Sequence, residues 1–286
     1  LHNGAIIRDE LEKLARELEF KAGYQRVYTP HIAKQKLYYQ TGHLPYYAEH
    51  IYPCMEIRDQ QENAGSVEEI KESYVLKPMN CPHHHKIFAA RKRSYRELPL
   101  RLAEYGTVYR LEDSGSLSGL LRVRCMTMND AHIYCSEEQI KSEFLNVMEM
   151  HKQVYAILSL SDYYMRFSTW DPNDPKGKQK YVDNPKAWET SQALVLEAMQ
   201  DSGMDYSEGK GEAAFYGPKI DVQFRSVTGR EETASTNQLD FAIPERMDLQ
   251  YFAADNKPYR PYVIHRAPLG THERFIAFLI EHFGGA

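Results

Sequence analysis

The 286-residue chain is 42% hydrophobic and 26% charged, the balance of a folded globular protein rather than a low-complexity one. A net charge of −5 argues against tight nucleic-acid binding by the whole surface and leaves room for a local basic patch. No run of about 18 apolar residues occurs, which excludes a membrane-spanning helix, and no membrane partner is expected.

Residues Ala5 to Phe20 carry Ile7, Leu11, Leu14 and Leu18 at helical spacing, and Gly23 closes the segment. "YQRVYTPHI" reads as a strand with a proline near its end, and Lys34 to Gly42 as a short helix. Strands are expected at Ile51 to Ile57 and Tyr74 to Lys77, with "GSVEEIKE" as a solvated loop between them. "RLAEYGTVYR" and "GLLRVRCMTMNDAHIYC" are rich in β-formers and flank the polar "EDSGSLSG", the pattern of a long hairpin. Ser136 with Gln139 forms a capping box, and the helix behind it runs to about Leu160. "DPNDPKGKQKYVDNP" is a proline-punctuated loop before a helix from Ala187 to Met199. From Tyr206 onward short strands dominate, in "AFYGPKIDVQF", "STNQLDFAI" and "YRPYVIHRA", and a last helix starts near Gly270. Strands in hairpin-like runs, without strict βαβ alternation, predict an α+β fold with an antiparallel sheet flanked by helices.

Cys54, Cys81, Cys125 and Cys135 form no CxxC pair, and a chain of this length needs no disulfide framework, so a reducing, cytoplasmic setting is expected. No signal peptide is visible. The chain opens at Leu1 and stops at "EHFGGA", which reads as a piece of a longer protein.

Two stretches carry chemistry. "MNCPHHHKIF" places Cys81 before His83, His84 and His85, four potential metal ligands within five residues. Neighbouring side chains diverge on any regular backbone, so the stretch alone does not define a metal site. The hairpin carries Arg110 and Glu112 on one arm and Arg122 and Arg124 on the other, and strand alternation would put each pair on one face. Several guanidinium groups with one carboxylate suit a polyphosphate and a hydrogen-bonding base. A solvated, salt-bridged hairpin fits the same spacing. No GxxxxGK[ST] is present, so a nucleotide site here is not a P-loop. Arg91, Lys92, Arg93 and Arg96 form a basic cluster that suits either a nucleic-acid contact or a solvated helix face.

"RLAEYGTVYRLEDSGSLSGLLRVR", "NDAHIYC", "GEAAFYGPKID", "STNQLDF", "IHRAPLGTHERF" and "MNCP" together resemble the class II aminoacyl-tRNA synthetases, and among them the threonyl-tRNA synthetase family. The resemblance runs along nearly the whole chain and implies one catalytic domain over residues 1–286. The three family motifs would fall near residues 23–30, 104–124 and 265–283, with Pro30 at a homodimer interface. It implies ATP with Mg2+, L-threonine and tRNA(Thr) as partners. The implied ATP contacts are Arg110, Glu112, Arg122, Met126 and Arg274, with Arg110 on the α-phosphate, Glu112 on the adenine edge and Arg274 on the γ-phosphate. On this resemblance Arg110 and Arg274 would be the catalytic pair. Around threonine it implies Asp130, Tyr216, Gln238 and Met128, with Lys219 on the same strand segment.

The family's zinc takes a cysteine and two histidines from distant segments, which here are Cys81, His132 and His265. His83, His84 and His85 are then helix packing or surface, although a site joining His83 or His84 to Cys81 is the alternative. A hydrophobic pocket separates near-isosteres such as threonine and valine by only about 10²-fold. A metal that ligates both the amino and hydroxyl groups adds the missing discrimination. Serine keeps the hydroxyl and would need a separate editing domain, which matches nothing here, and neither does an anticodon-binding domain. The sequence departs from the family at Cys125, Met126 and Met128, where a small residue, an aromatic and a glutamine are usual. Met126 can cover an adenine ring through its thioether; Met128 cannot hydrogen-bond as an amide does. These departures, and the missing modules, keep two other readings open: a paralogue passing the amino acid to another acceptor, and a non-catalytic ligand sensor.

Overall fold

The computed structural model describes residues 2–58, 70–174, 180–225, 229 and 231–285. In chain order the elements are α1 (His2–Lys21), β1 (Gln25–Arg26), β2 (Ile32–Lys34), α2 (Gln35–Thr41), α3 (His43–Tyr46), β3 (Met55–Arg58), β4 (Ile70–Leu76), α4 (Cys81–Ala89), β5 (Arg93–Ser94), β6 (Leu100–Tyr109) and β7 (Cys125–Cys135). They continue with α5 (Ile140–Ile157), β8 (Tyr163–Thr169), α6 (Pro185–Asp201), β9 (Tyr206–Lys210), β10 (Lys219–Arg225), β11 (Glu231–Asp240), α7 (Ile243–Arg246), β12 (Tyr251–Phe252), β13 (Pro258–Tyr259), β14 (Tyr262–Ala267) and α8 (His272–His282). None of these helices is long and apolar enough to cross a membrane.

The main sheet has the order β1-β6-β7-β14-β11-β10-β8-β9. Its six inner strands pair antiparallel, as the hairpin-rich sequence predicts, but the edge pairs β1–β6 and β8–β9 are parallel. A parallel pair needs a crossover, and α6 supplies it between β8 and β9. The fold is α+β, a mixed sheet with helices.

The two sheet faces differ because side chains alternate along each strand. On the back, Ile133, Ile264 and Leu239 pack under α5, with Phe144, Val147, Met148 and Tyr155 buried against them. On the front, Leu100, Leu102, Tyr134 and Val263 meet Phe88 of α4 and Ile243 of α7. Ser136 and Gln139 form the expected capping box at the start of the α5 turn. Asn184 caps α6 by accepting from the Ala187 amide, which extends that helix two residues beyond its expected start.

Two loop readings change. "GSVEEIKE" lies partly outside the described residues, and its Ile70–Glu72 portion belongs to β4 instead of a loop. The hairpin arms stop being strand at Tyr109 and resume at Cys125. Between them the backbone turns through bridged and 3-10 geometry, so strand alternation does not govern Arg110 to Arg124.

Candidate active site

The front face of β6, β7 and β14 carries the chemistry. Glu104, Asp130, His132 and His265 lie on this face, where Leu100 and Leu102 also sit, so they replace apolar side chains in the core layer. His132 and His265 are cross-strand partners. Cys81 arrives from the first turn of α4, which Pro82 favours by presetting the backbone at the second position.

One potential ligand atom from each of Cys81, His132 and His265 falls within 4.8 Å of the others, and all three residues are buried. His132 Nε2 lies 3.0 Å from His265 Nδ1. The partners on the far side of each ring set its tautomer. Asp240 accepts from His265 Nε2 at 3.0 Å, which leaves Nδ1 with its lone pair. Glu104 accepts from His84 Nε2 at 3.0 Å, and His84 Nδ1 then accepts from His132 Nδ1 at 2.7 Å, which leaves His132 Nε2 bare. With these tautomers two acceptors face each other beside a thiol, an arrangement that could hold a metal ion. Burial pushes His132 well below the usual imidazole range and keeps it neutral, the ligating form. Burial, reinforced by the Asp130 and Asp240 charges, pushes the Cys81 thiol up, so a metal must displace its proton.

His83, His84 and His85 are all buried, so none is a surface residue. His84 buttresses His132, and His85 Nδ1 meets the Tyr134 hydroxyl at 3.0 Å. Neither His83 nor His84 groups with Cys81 among the described residues, whereas His85 does lie near Asp240 and His265. Behind the site Lys77 is buried 3.2 Å from Glu104. Burial alone would raise the Glu104 carboxyl, but His84, Lys77 and the Thr29 amide hold it down to about 2.

Tyr216 stacks on His265 with ring centroids 5.1 Å apart, and its hydroxyl donates to Gln238. Asn80 donates to Asp130 at 3.1 Å, and burial raises the Asp130 carboxyl. Tyr216 and Gln238 line a cavity whose wall also includes Arg110 and Glu112. The same Arg110 and Glu112 line a second cavity with Arg122, Met126, Met128 and Arg274. The two cavities thus meet at one arginine and one glutamate. Arg110 Nε donates to the Pro78 carbonyl at 3.3 Å, and Arg274 Nε to the Leu121 carbonyl at 3.1 Å. Burial lowers the Arg274 pKa, and Arg122 and Arg110 add to the effect. Three guanidinium groups lining one cavity suit a polyanion.

Arg122 and Arg124 do not share a face. Arg122 lines the cavity, while Arg124 donates to the Glu112 carbonyl at 2.9 Å and to Ser114 at 3.2 Å, bracing the turn. Lys219 lines neither of these cavities; its ammonium pairs with Asp221. The basic cluster also divides: Arg93 is buried and donates to the Phe88 and Ile87 carbonyls, closing α4, while Arg91 pairs with Glu97. Sequence reading did not single out His43, which is fully buried with Nε2 3.6 Å from Cys81 Sγ and Nδ1 2.7 Å from Thr41 Oγ1. Nor did it single out Asp240, which ends the mostly polar strand β11, where one more acidic residue gives no signal.

Residues 63–283 match the family model described as tRNA synthetase class II core domain (G, H, P, S and T). The chain belongs to this class II tRNA synthetase core family. A threonine--tRNA ligase of Streptococcus agalactiae is 49% identical over 286 residues, all of this chain and 42% of that protein. The class II core also shows in solved structures. The crystal structure of the RNA binding domain of threonyl-tRNA synthetase from Cryptosporidium parvum superposes with a TM-score of 0.87 at 33% identity, covering 100% of this chain and 66% of that one. A putative threonyl-tRNA synthetase from Aeropyrum pernix gives 0.80 at 32%, covering 98% and 60%. The chain spans about two-fifths of the length of the curated relatives it matches.

Proposed function

We propose that residues 1–286 are the catalytic domain of an ATP-dependent threonine--tRNA ligase. It activates L-threonine with ATP and Mg2+ and passes the threonyl group to tRNA(Thr). The observation that carries this reading is the junction at Arg110 and Glu112 between a three-arginine cavity and a cavity next to Cys81, His132 and His265.

The three-arginine cavity takes the triphosphate. Arg110 lies where both cavities meet and holds the α-phosphate, Glu112 takes the adenine edge, Arg122 and Arg274 neutralise the remaining phosphate charge, and Met126 covers the base. The threonine carboxylate attacks the α-phosphorus and pyrophosphate leaves. Positioning and charge neutralisation supply most of the rate enhancement in such a step. Arg110 and Arg274 are therefore the catalytic pair.

Cys81, His132 and His265 fit a zinc ion and would hold it through one thiolate and two imidazoles, the imidazoles oriented from behind by Asp240 and His84. A zinc ion held there would supply Lewis acidity toward the amino and hydroxyl groups of threonine. Asp130 accepts from the substrate hydroxyl, Tyr216 and Gln238 close around the amino acid, and Met128 reaches toward it from the adjoining three-arginine cavity. Valine offers no oxygen and is rejected; serine is not. A cytoplasmic setting and a homodimer through the Gly23 to Pro30 region complete the reading; the dimer is supported by exposed Tyr28 within that region and exposed Phe20 just before it.

The test is ATP–pyrophosphate exchange with threonine, serine and valine, alongside metal content. Exchange with threonine, weaker exchange with serine, none with valine, and one zinc per chain are expected. A folded, zinc-loaded chain that exchanges with none of them overturns the enzymatic reading.

A further inference from the structure

The reverse face of the site is held by one carboxylate from another element. Glu19 stands near the end of α1 and is buried. Its Oε1 accepts from Arg266 Nη1 at 2.8 Å and from Asn129 Nδ2 at 2.8 Å, and its Oε2 accepts from the Tyr105 hydroxyl at 3.2 Å. These three partners lie on β14, β7 and β6, adjacent strands of the main sheet. Each is the chain neighbour of a front-face residue of the site: Arg266 of His265, Asn129 of Asp130, Tyr105 of Glu104. Alternation sends one member of each pair forward and the other back.

Arg266 is fully buried, with its guanidinium 4.1 Å from the Tyr24 ring centroid. Among the described residues Glu19 supplies its salt-bridging carboxylate. Such a charge is tolerated inside a protein only when paired and hydrogen-bonded. The clasp therefore has a defined geometry instead of the looseness of an apolar contact. Backbone ladders set the spacing of the three strands; the clasp ties their backward side chains to one point and so restrains the local twist on which the aim of the forward side chains depends.

We propose that Glu19 is a positioning residue, which through Arg266, Asn129 and Tyr105 sets the aim of His265, Asp130 and Glu104 on the opposite face. It touches no substrate. This inference rests on the reading of the front face as a metal-dependent threonine site, and its test separates the two.

The test compares the unaltered chain, Glu19→Gln, and Glu19→Gln combined with Asn129→Asp. The double variant moves the carboxylate across an existing hydrogen bond to a residue that shares Glu19 Oε1 with the guanidinium. Zinc affinity is read by competition with a chromophoric chelator, threonine and ATP KM by pyrophosphate exchange, and folding by urea denaturation. Residues that orient metal ligands from behind are worth about 10–100-fold in affinity. We expect Glu19→Gln to lose roughly tenfold in zinc affinity, to raise threonine KM and to leave ATP KM in place, with the double variant restoring both. A Glu19→Gln chain that is less stable but keeps its zinc affinity and threonine KM makes the clasp merely structural and overturns the proposal. So does a folded double variant that restores nothing. If the unaltered chain binds zinc without exchanging, the catalytic reading fails instead, and zinc affinity alone decides the role of Glu19.

Discussion

Asp240 Oδ2 lies 3.0 Å from His265 Nε2, while Oδ1 of the same carboxylate accepts from the Ala242 and Ile243 amides, each at 2.9 Å. One side chain thus anchors the start of α7 and fixes the tautomer of a potential metal ligand. Asp240→Asn keeps the shape and can keep the amide contacts through its oxygen. Its amide nitrogen then faces His265 Nε2 and drives the imidazole proton to Nδ1. Zinc affinity should fall about 10–100-fold with little loss of folding stability. Chelator competition beside urea denaturation measures both, and an unchanged affinity would remove Asp240 from the site.

Gly106 on β6 sits beneath Asn80, and a Cβ there would lie 2.1 Å from Asn80 Oδ1. Gly106→Ala should therefore push Asn80 off Asp130 and cost about 1–3 kcal/mol, the range for overpacking a filled interior. The same substitution in an Asn80→Ala background should cost far less, because the obstructing side chain has gone. A double-mutant cycle by urea denaturation reads the difference. Equal costs in both backgrounds would show that the backbone around residue 106 resists the methyl group.

His151, in α5, is fully buried, and burial lowers its imidazole to about 3, with Arg266 adding to the effect. The folded chain refuses a proton that the unfolded chain accepts below about pH 6.5. The contribution of His151 to stability is intact above that pH. It drains away at about 1.4 kcal/mol per unit as pH falls toward 3. His151→Met removes the titration while keeping an apolar side chain of similar reach. The stability gap between variant and wild type should therefore shift steadily in favour of the variant from pH 7 to 4. A constant gap across that range would mean that His151 takes no part in acid sensitivity.

The long helices, the capping box and the hairpin arms were legible because periodicity, caps and β-formers agree there. β8 was not singled out, although "YYMRFST" is β-forming, because it stands alone between two helices without a hairpin partner nearby in the chain. The parallel edges escaped because pairing direction depends on crossovers, not on local composition. Cys81, His132 and His265 were selected by resemblance alone; spacing offers no reason to join residues so far apart. Glu104 was readable in principle, as a charge on the apolar face of β6. Arg122 and Arg124 were misread because alternation was extended past Tyr109 and back before Cys125, where the chain is no longer strand. Glu19 carried a weak signal, at i+4 from Ala15 and i+8 from Leu11 on one helical face, but only the fold shows what its carboxylate meets.

β14 occupies a central place in the main sheet, between β7 and β11, yet it is the last of these strands in the chain. During synthesis β7 and β11 must both wait with an open edge until residues 262–267 emerge. An open edge is a template for pairing with the wrong chain, and pairings across long stretches of sequence form slowly. The same strand delivers His265, so the site cannot exist in a nascent chain whose sheet is still split in two.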